Sequence, residues 1–114
     1  DQYQVAVAQR IEQNNPSDVL HGNPQAMLRS VVVVSFVVDR NGHVLTSSVY
    51  RTNGDDEAEN TALRSLRRSS PLPRPPAELL NANGQLELFE DWLFNDDRKF
   101  QLRELTPPQA QTLN

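Results

Sequence analysis

The sequence has 114 residues, a formal net charge of −4 and no cysteine. This length fits one domain with a modest hydrophobic core. The acidic balance argues against a general nucleic-acid binder, because phosphate contacts require a cationic surface. The missing cysteine excludes disulfides and cysteine metal sites, and the longest apolar run is far below the roughly 20 residues that span a bilayer. The chain begins at Asp1 without an initiator methionine, so we expect a domain of a longer protein.

The first predicted element is a helix over residues 1–13. Its apolar face carries one residue per turn, namely Tyr3, Val7 and Ile11. Pro16 lies just beyond its end, and proline disfavours helical geometry in the residue before it. After a loop, residues 23–28 predict a short helical turn, with asparagine as the cap and proline at the first helical position.

A β-hairpin is predicted next, and it is the strongest local pattern in the chain. Residues 31–38 are rich in valine and apolar on both alternating faces, which favours a central strand over an edge strand. Asn41 and Gly42 tolerate the positive φ angles that a tight turn requires. The second strand of the hairpin is predicted over about residues 43–51.

A second helix is predicted over residues 55–68. Acidic residues crowd its first turns and arginines its last turn, an order that complements the helix dipole. Its apolar stripe consists of Ala58, Ala62, Leu63 and Leu66. The four prolines within residues 70–76 exclude helix and central strand and predict a rigid extended crossover. A single helical turn at residues 77–80 and a turn at residues 81–84 then lead into the next strand.

The last predicted elements are two strands. Residues 85–95 form the third strand, and residues 99–105 return beside it after a turn. Residues 1–106 are thus the expected domain, and residues 107–114 a flexible tail. The order α-β-β-α-β-β predicts an α+β fold in which an antiparallel three- to four-stranded sheet carries two helices packed on one face.

No residue set in the sequence predicts catalysis or a cofactor. His21 and His43 are the only histidines, and neither has partners at metal-ligand spacing, so we expect no metal site. The acidic cluster of residues 55–59 is explained by its place at a helix N-terminus. Residues 95–97 lack the ligand spacing of a calcium loop. The serines stand in no nucleophile-elbow context, which predicts that the chain is not an enzyme.

The chain order of these predicted elements and several of their sequence motifs resemble the C-terminal domain of TonB-family energy transducers. The resemblance covers residues 30–105. It is carried by the valine-rich strand 31–38, the turn 39–44, the acidic-start helix 55–68, the proline link 71–76 and the closing segment 89–102. The related C-terminal domain of TolA remains an alternative, because the long first helix and the Pro-x-Pro-Pro passage are similar to it. A small hydrolase or ligand-binding α+β domain is the alternative of another class.

The TonB resemblance implies a periplasmic protein-interaction domain of an inner-membrane-anchored protein. Its partners would be an outer-membrane TonB-dependent receptor and, through the missing N-terminal part, inner-membrane motor proteins that drive uptake of a nutrient such as an iron-siderophore or haem. Nucleic acid and cofactors are not implied, and membrane contact is implied only through the missing anchor. A TolA-like domain would bind envelope proteins instead.

The resemblance also implies where the receptor binds. Its N-terminal peptide would add as a strand to the edge of the third strand. The receiving residues would be Leu86, Glu87, Leu88, Phe89, Glu90, Asp91, Trp92, Leu93 and Phe94. The returning strand at residues 99–105 would cover the same edge, so either it peels away or the peptide uses its outer edge. The cluster of Arg64, Arg67, Arg68 and Arg74 is either a solvated helix end or a docking patch for an acidic receptor surface.

Overall fold

The computed structural model describes residues 1–23 and 27–106. Residues 24–26 of the predicted helical turn at residues 23–28 lie outside the described part, and so does the predicted tail at residues 107–114. The main elements of the described part are α1 Gln2–Gln13, β1 Ser30–Asp39, β2 Val44–Thr52, α2 Asp56–Arg68, β3 Gln85–Phe94 and β4 Phe100–Leu102. The predicted α+β fold and its element order are confirmed.

The four strands form one antiparallel sheet in the order β2-β1-β3-β4. β1 is central, as its apolar character predicts. It pairs with β3 over ten residues, from Ser30 opposite Phe94 to Asp39 opposite Gln85, and with β2 on its other side. β3 is therefore held along its whole length by one neighbour.

The hairpin loop between β1 and β2 is fixed by side-chain and crossover contacts. The Asp39 carboxylate accepts hydrogen bonds from the backbone N–H groups of Asn41 and His43, both at 2.9 Å. Gly42 has a φ of +88°, and its carbonyl accepts a hydrogen bond from Leu72 N at 2.8 Å. The proline-rich crossover thus packs directly on this loop.

Both helices begin at an aspartate cap. The Asp1 carboxylate accepts from Gln4 N, and the Asp55 carboxylate accepts from Ala58 N. Asp55 also accepts from Ser30 Oγ at 2.5 Å and from Arg29 Nε at 3.1 Å. The Ser30 hydroxyl is the largest cause that lowers the pKa of Asp55 to about 2. The start of α2 is therefore bound to the start of β1.

The helices cover one face of the sheet with a single hydrophobic core. Even-numbered residues of β1 and β3 point into it, together with one stripe from each helix. Its fully buried large side chains include Ile11, Val32, Val34, Phe36, Leu66, Trp92, Phe94, Phe100 and Leu102. The crossover joins the same layer, since Tyr3 of α1 donates a hydrogen bond to the Pro73 carbonyl at 2.8 Å.

The predicted strand at residues 99–105 was too long. β4 ends at Leu102, and Arg103–Leu105 form a 3₁₀ helix. The outer backbone groups of Leu102 are bonded outside the sheet: its N–H donates to Glu12 of α1 at 3.1 Å, and its carbonyl accepts from the Thr106 hydroxyl at 2.8 Å. The Glu12 bond holds the end of β4 against α1, and the Thr106 bond closes the following turn. β4 pairs with three residues of β3 only.

Candidate interaction edge

The short β4 leaves most of the outer side of β3 without a neighbouring strand. β4 pairs with Trp92, Leu93 and Phe94, and no other described strand lies on that side. We call the outer side of residues 86–91 the open edge. Of the nine receiving residues predicted from sequence, six lie on the open edge, and the last three are paired with β4.

The outward backbone groups of β3 belong to its odd-numbered residues. The carbonyl of Phe89 is reached from outside by the side chain of Gln4, and Asn95 N donates outward to Lys99 O at 2.9 Å. In an antiparallel strand, the N–H and C=O of one residue point to the same side. The outward groups of Gln85 are already paired with the preceding turn. Its carbonyl accepts from Asn81 N at 2.8 Å, and its N–H donates to Asn81 Oδ1 at 3.0 Å. Glu87, Phe89 and Asp91 therefore present the outward groups of the open edge.

Glu87 is the most open of these positions. Within residues 1–23 and 27–106, no hydrogen bond reaches its outward N–H or C=O. Its side chain is also exposed. An unpaired N–H and C=O on a strand edge form a template for another extended chain.

An exposed aromatic pair lies on the sheet face away from the helices. The Phe89 ring is 5.0 Å from the Tyr50 ring in an edge-to-face arrangement, which is a favourable geometry for aromatic pairs. The two side chains are 42% and 60% exposed. A strand added at the open edge would find this apolar surface beside its own outward side chains.

Glu90 faces the core from the open edge and is only 2% exposed. Its carboxylate accepts from Asp91 N at 3.1 Å and from the Gln4 amide at 3.3 Å. Burial raises the pKa of Glu90 to about 7, against the two hydrogen bonds, and the negative charges of Glu104 and Asp91 add to the increase. Asp91 itself pairs with Arg103 at 2.6 Å.

The sequence placed Glu90 among the receiving residues of the third strand, without a buried role, and did not identify Gln4. The signal for Glu90 is its position: it alternates with Leu88 and Trp92, so its side chain must point to the core face. Gln4 is 86 residues away from Glu90 along the chain, and its sequence neighbourhood shows only an exposed helix position. That contact depends on how α1 docks.

Trp92, Leu93 and Phe94 belong to the interior. All three are at most 2% exposed, and the Trp92 side chain is part of the hydrophobic core. Its indole N–H donates to Ser65 Oγ of α2 at 2.9 Å. These residues anchor β3 beneath β4.

The four arginines occupy more than one surface. Arg64 lines a depression with Arg29 and Arg98 beside α2, and Arg74 lines a different one beside Arg40 and the hairpin loop. Arg68 donates to the Asn15 side chain at 3.2 Å. Arg67 is exposed in the last turn of α2.

The structure contains no obvious site for an ion within the described ranges. No group of three or more histidine, cysteine or acidic residues there could hold a metal. His43 lies against Asp39, with Nδ1 3.4 Å from the carboxylate. None of the described helices is long and apolar enough to cross a membrane.

An open strand edge beside exposed aromatics is characteristic of domains that bind extended peptides. The comparisons with known proteins identify the family. The family model described as TonB C terminal matches residues 1–88 of the 114. The chain therefore belongs to the TonB C-terminal family. This match ends at Leu88, within β3, so the second half of the open edge and β4 lie beyond it.

A curated relative gives the same assignment. The protein TonB of Pseudomonas putida is 32% identical over 72 residues, which are 63% of this chain and 29% of that protein. The chain thus spans less than a third of the length of this relative. No solved structure matches the chain significantly.

Proposed function

We propose that this chain is the receptor-binding end of a TonB-type energy transducer. The domain, residues 1–106, binds the N-terminal peptide segment of an outer-membrane receptor as an added strand on the open edge. It transmits force from an inner-membrane proton-driven motor and supports uptake of a nutrient such as an iron-siderophore or haem. It works in the periplasm, without catalysis, at the end of a longer chain anchored in the inner membrane. Family membership supports the general role.

The observation that carries the binding mode is the short β4. Because it pairs only with Trp92–Phe94, a peptide can add to residues 86–91 without removing it. Removal would be costly, since Phe100 and Leu102 are both completely buried. The last strand then does not have to peel away from β3, and the peptide does not have to pair with the outer edge of β4. Instead, the peptide lies in line with β4 on the same side of β3.

The sheet topology is suited to the transmission of a pulling force. β3 pairs with the central strand β1 through a ten-residue register. A peptide that is pulled along the strand direction loads several backbone hydrogen bonds at once, and β3 passes this load to β1 through its full ladder. A site on a surface loop would have no such support.

The arginines are proposed as a secondary contact. Arg64, Arg67 and Arg74 are exposed and could steer an acidic receptor surface towards the domain. Arg68 contributes less, because its guanidinium already bonds Asn15 and lies 3.9 Å from Asp18.

The direct test is a backbone amide NMR titration with peptides from the N-terminal segments of outer-membrane receptors. We expect the largest shift changes at residues 86–91 and in the neighbouring residues of β1. The controls are two variants of the same peptide with proline at the odd or at the even positions, because one of them lacks the N–H groups that face the edge. Equal binding of both controls and the unmodified peptide, or no response of the folded domain to any peptide, would contradict the proposal.

A further inference from the structure

Two side chains of the domain already bond the open edge. Gln4 of α1 donates its side-chain amide to the Phe89 carbonyl at 2.5 Å. The Glu90 carboxylate accepts from the Asp91 N–H at 3.1 Å. The two side chains also bond each other, at 3.3 Å between Gln4 Nε2 and Glu90 Oε2. Together they form one connected unit on two successive outward groups of β3.

This arrangement copies what an added strand would provide. A residue in a parallel neighbouring strand donates its N–H to the carbonyl of one residue and accepts, at its own carbonyl, from the N–H two residues further on. The Gln4 amide is such a donor at Phe89, and the Glu90 carboxylate is such an acceptor at Asp91. A peptide strand that passes residues 89–91 needs the same two groups.

We propose that Gln4 and Glu90 form a latch that occupies the open edge in the free domain and that an incoming peptide displaces. This inference rests on the proposed function, because it concerns regulation of the same site. The latch protects two edge groups against unspecific strand pairing and makes the peptide compete for them. Within residues 1–23 and 27–106, the outward groups of Glu87 and the N–H of Phe89 have no partner and are open at first contact.

The latch can open without unfolding the helix that carries it. Gln4 is only half-buried, whereas its neighbours Tyr3 and Val7 are buried in the core. The Asp1 cap accepts from the backbone N–H of Gln4 at 2.8 Å and does not use its side chain. Rotation of the Gln4 side chain therefore frees the Phe89 carbonyl while α1 stays docked.

The surroundings of Glu90 keep the latch weak. Its carboxylate has no cationic partner within the described residues. Asp91 of β3 and Glu104 of the last 3₁₀ helix face it with like charge, while Gln4 from α1 is neutral. The buried carboxylate is thus held by hydrogen bonds from neutral donors alone, and a peptide that replaces them has no salt bridge to break.

The test compares peptide affinity in matched variants of the domain. Gln4→Ala removes the donor, and Gln4→Met removes it while keeping the length and helix preference of the side chain. Gln9→Ala is the control, since Gln9 is an exposed glutamine of the same helix. Because one neutral hydrogen bond no longer has to be displaced, we expect both Gln4 variants to bind about fivefold more tightly, and Gln9→Ala to bind as the wild type. Unchanged or weaker binding by the Gln4 variants would overturn the latch.

A second readout is independent of affinity. In the free domain, the side-chain amide protons of Gln4 should exchange with solvent more slowly than those of Gln9. On saturation with peptide, they should reach the Gln9 rate. Fast exchange in the free domain, or persistent protection while the peptide occupies the open edge, contradicts the latch but leaves strand addition intact. If no peptide binds wild type or variants at β3, the proposed function itself fails.

Discussion

The indole nitrogen of Trp92 lies 2.9 Å from the hydroxyl oxygen of Ser65, and both residues are almost completely buried. This hydrogen bond joins β3 to α2 across the core. Ser65 in turn donates its hydroxyl proton to the Ala62 carbonyl at 2.8 Å. The bond therefore fixes the position of the strand that carries the open edge relative to the helix layer.

Replacement of Ser65 by alanine should destabilise the domain measurably. The Trp92 N–H would remain buried without an acceptor, which costs about 1–3 kcal/mol in the free energy of unfolding. Urea denaturation followed by tryptophan fluorescence gives the change. Ser17→Ala is the control, because Ser17 is exposed and should change stability by less than about 0.5 kcal/mol. Equal stability of the two variants would show that the bond contributes nothing.

Gly42 and Gly54 allow a test of the contact between the hairpin and the crossover. Both have φ near +90°, but a Cβ at Gly42 would lie 2.0 Å from the Leu72 carbonyl oxygen, while one at Gly54 would meet no atom within 4 Å. Gly54→Ala should therefore cost only backbone strain, about 1–2 kcal/mol. Gly42→Ala should cost clearly more, because the crossover must move. Similar midpoints in thermal unfolding would contradict the close packing.

Much of this fold is predictable because its signals are local. The alternation in β1, the Asn41-Gly42 turn and the acidic start of α2 each indicate their own structure within a few residues. The central position of β1 follows from its apolar faces alone. Local patterns also explain why no metal site was expected around His21 or His43.

The details of the site depend on contacts that local patterns do not contain. β4 ends early because Glu12 and Thr106 bond Leu102, and Glu12 comes from the far end of the chain. Gln4 reaches Phe89 and Glu90 only after α1 has docked on the crossover. The alternation of side chains along β3 places Glu90 on the core face. A buried acid is accommodated there because its carboxylate accepts hydrogen bonds from Gln4 and from the Asp91 N–H.

The buried carboxyl of Glu90 predicts a pH-dependent stability. Its pKa is raised from 4.5 to about 7, so the folded state binds this proton more tightly than the unfolded state. The contribution of this proton to the free energy of unfolding is fully present below pH 4.5 and is lost as the pH rises towards 7. In total it is on the order of 3 kcal/mol. The groups that face Glu90 are Gln4 from α1, Asp91 from β3 and Glu104 from the last 3₁₀ helix.

Urea titrations between pH 4.5 and pH 8 can isolate this effect. Glu90→Gln keeps an acceptor for the Asp91 N–H and carries no charge, so it should be more stable than the wild type at pH 8 and similar at pH 4.5. Glu87→Gln, at an exposed position of the same strand, should follow the wild-type pH profile. A Glu90→Gln variant that keeps the wild-type slope would exclude a raised pKa.

Strand addition at the open edge makes a prediction about Glu87 that side-chain recognition does not share. The outward N–H of Glu87 faces away from β1, so a proline there removes a donor to the peptide without removing a bond of the β1–β3 ladder. Glu87→Pro should weaken peptide binding by about fivefold, the value of one lost hydrogen bond. Glu87→Ala removes the charge and keeps the donor, and should bind almost as the wild type. The β1–β3 amide resonances report whether each variant is folded. If Glu87→Ala loses as much affinity as a folded Glu87→Pro, the peptide recognises the carboxylate and not the strand edge.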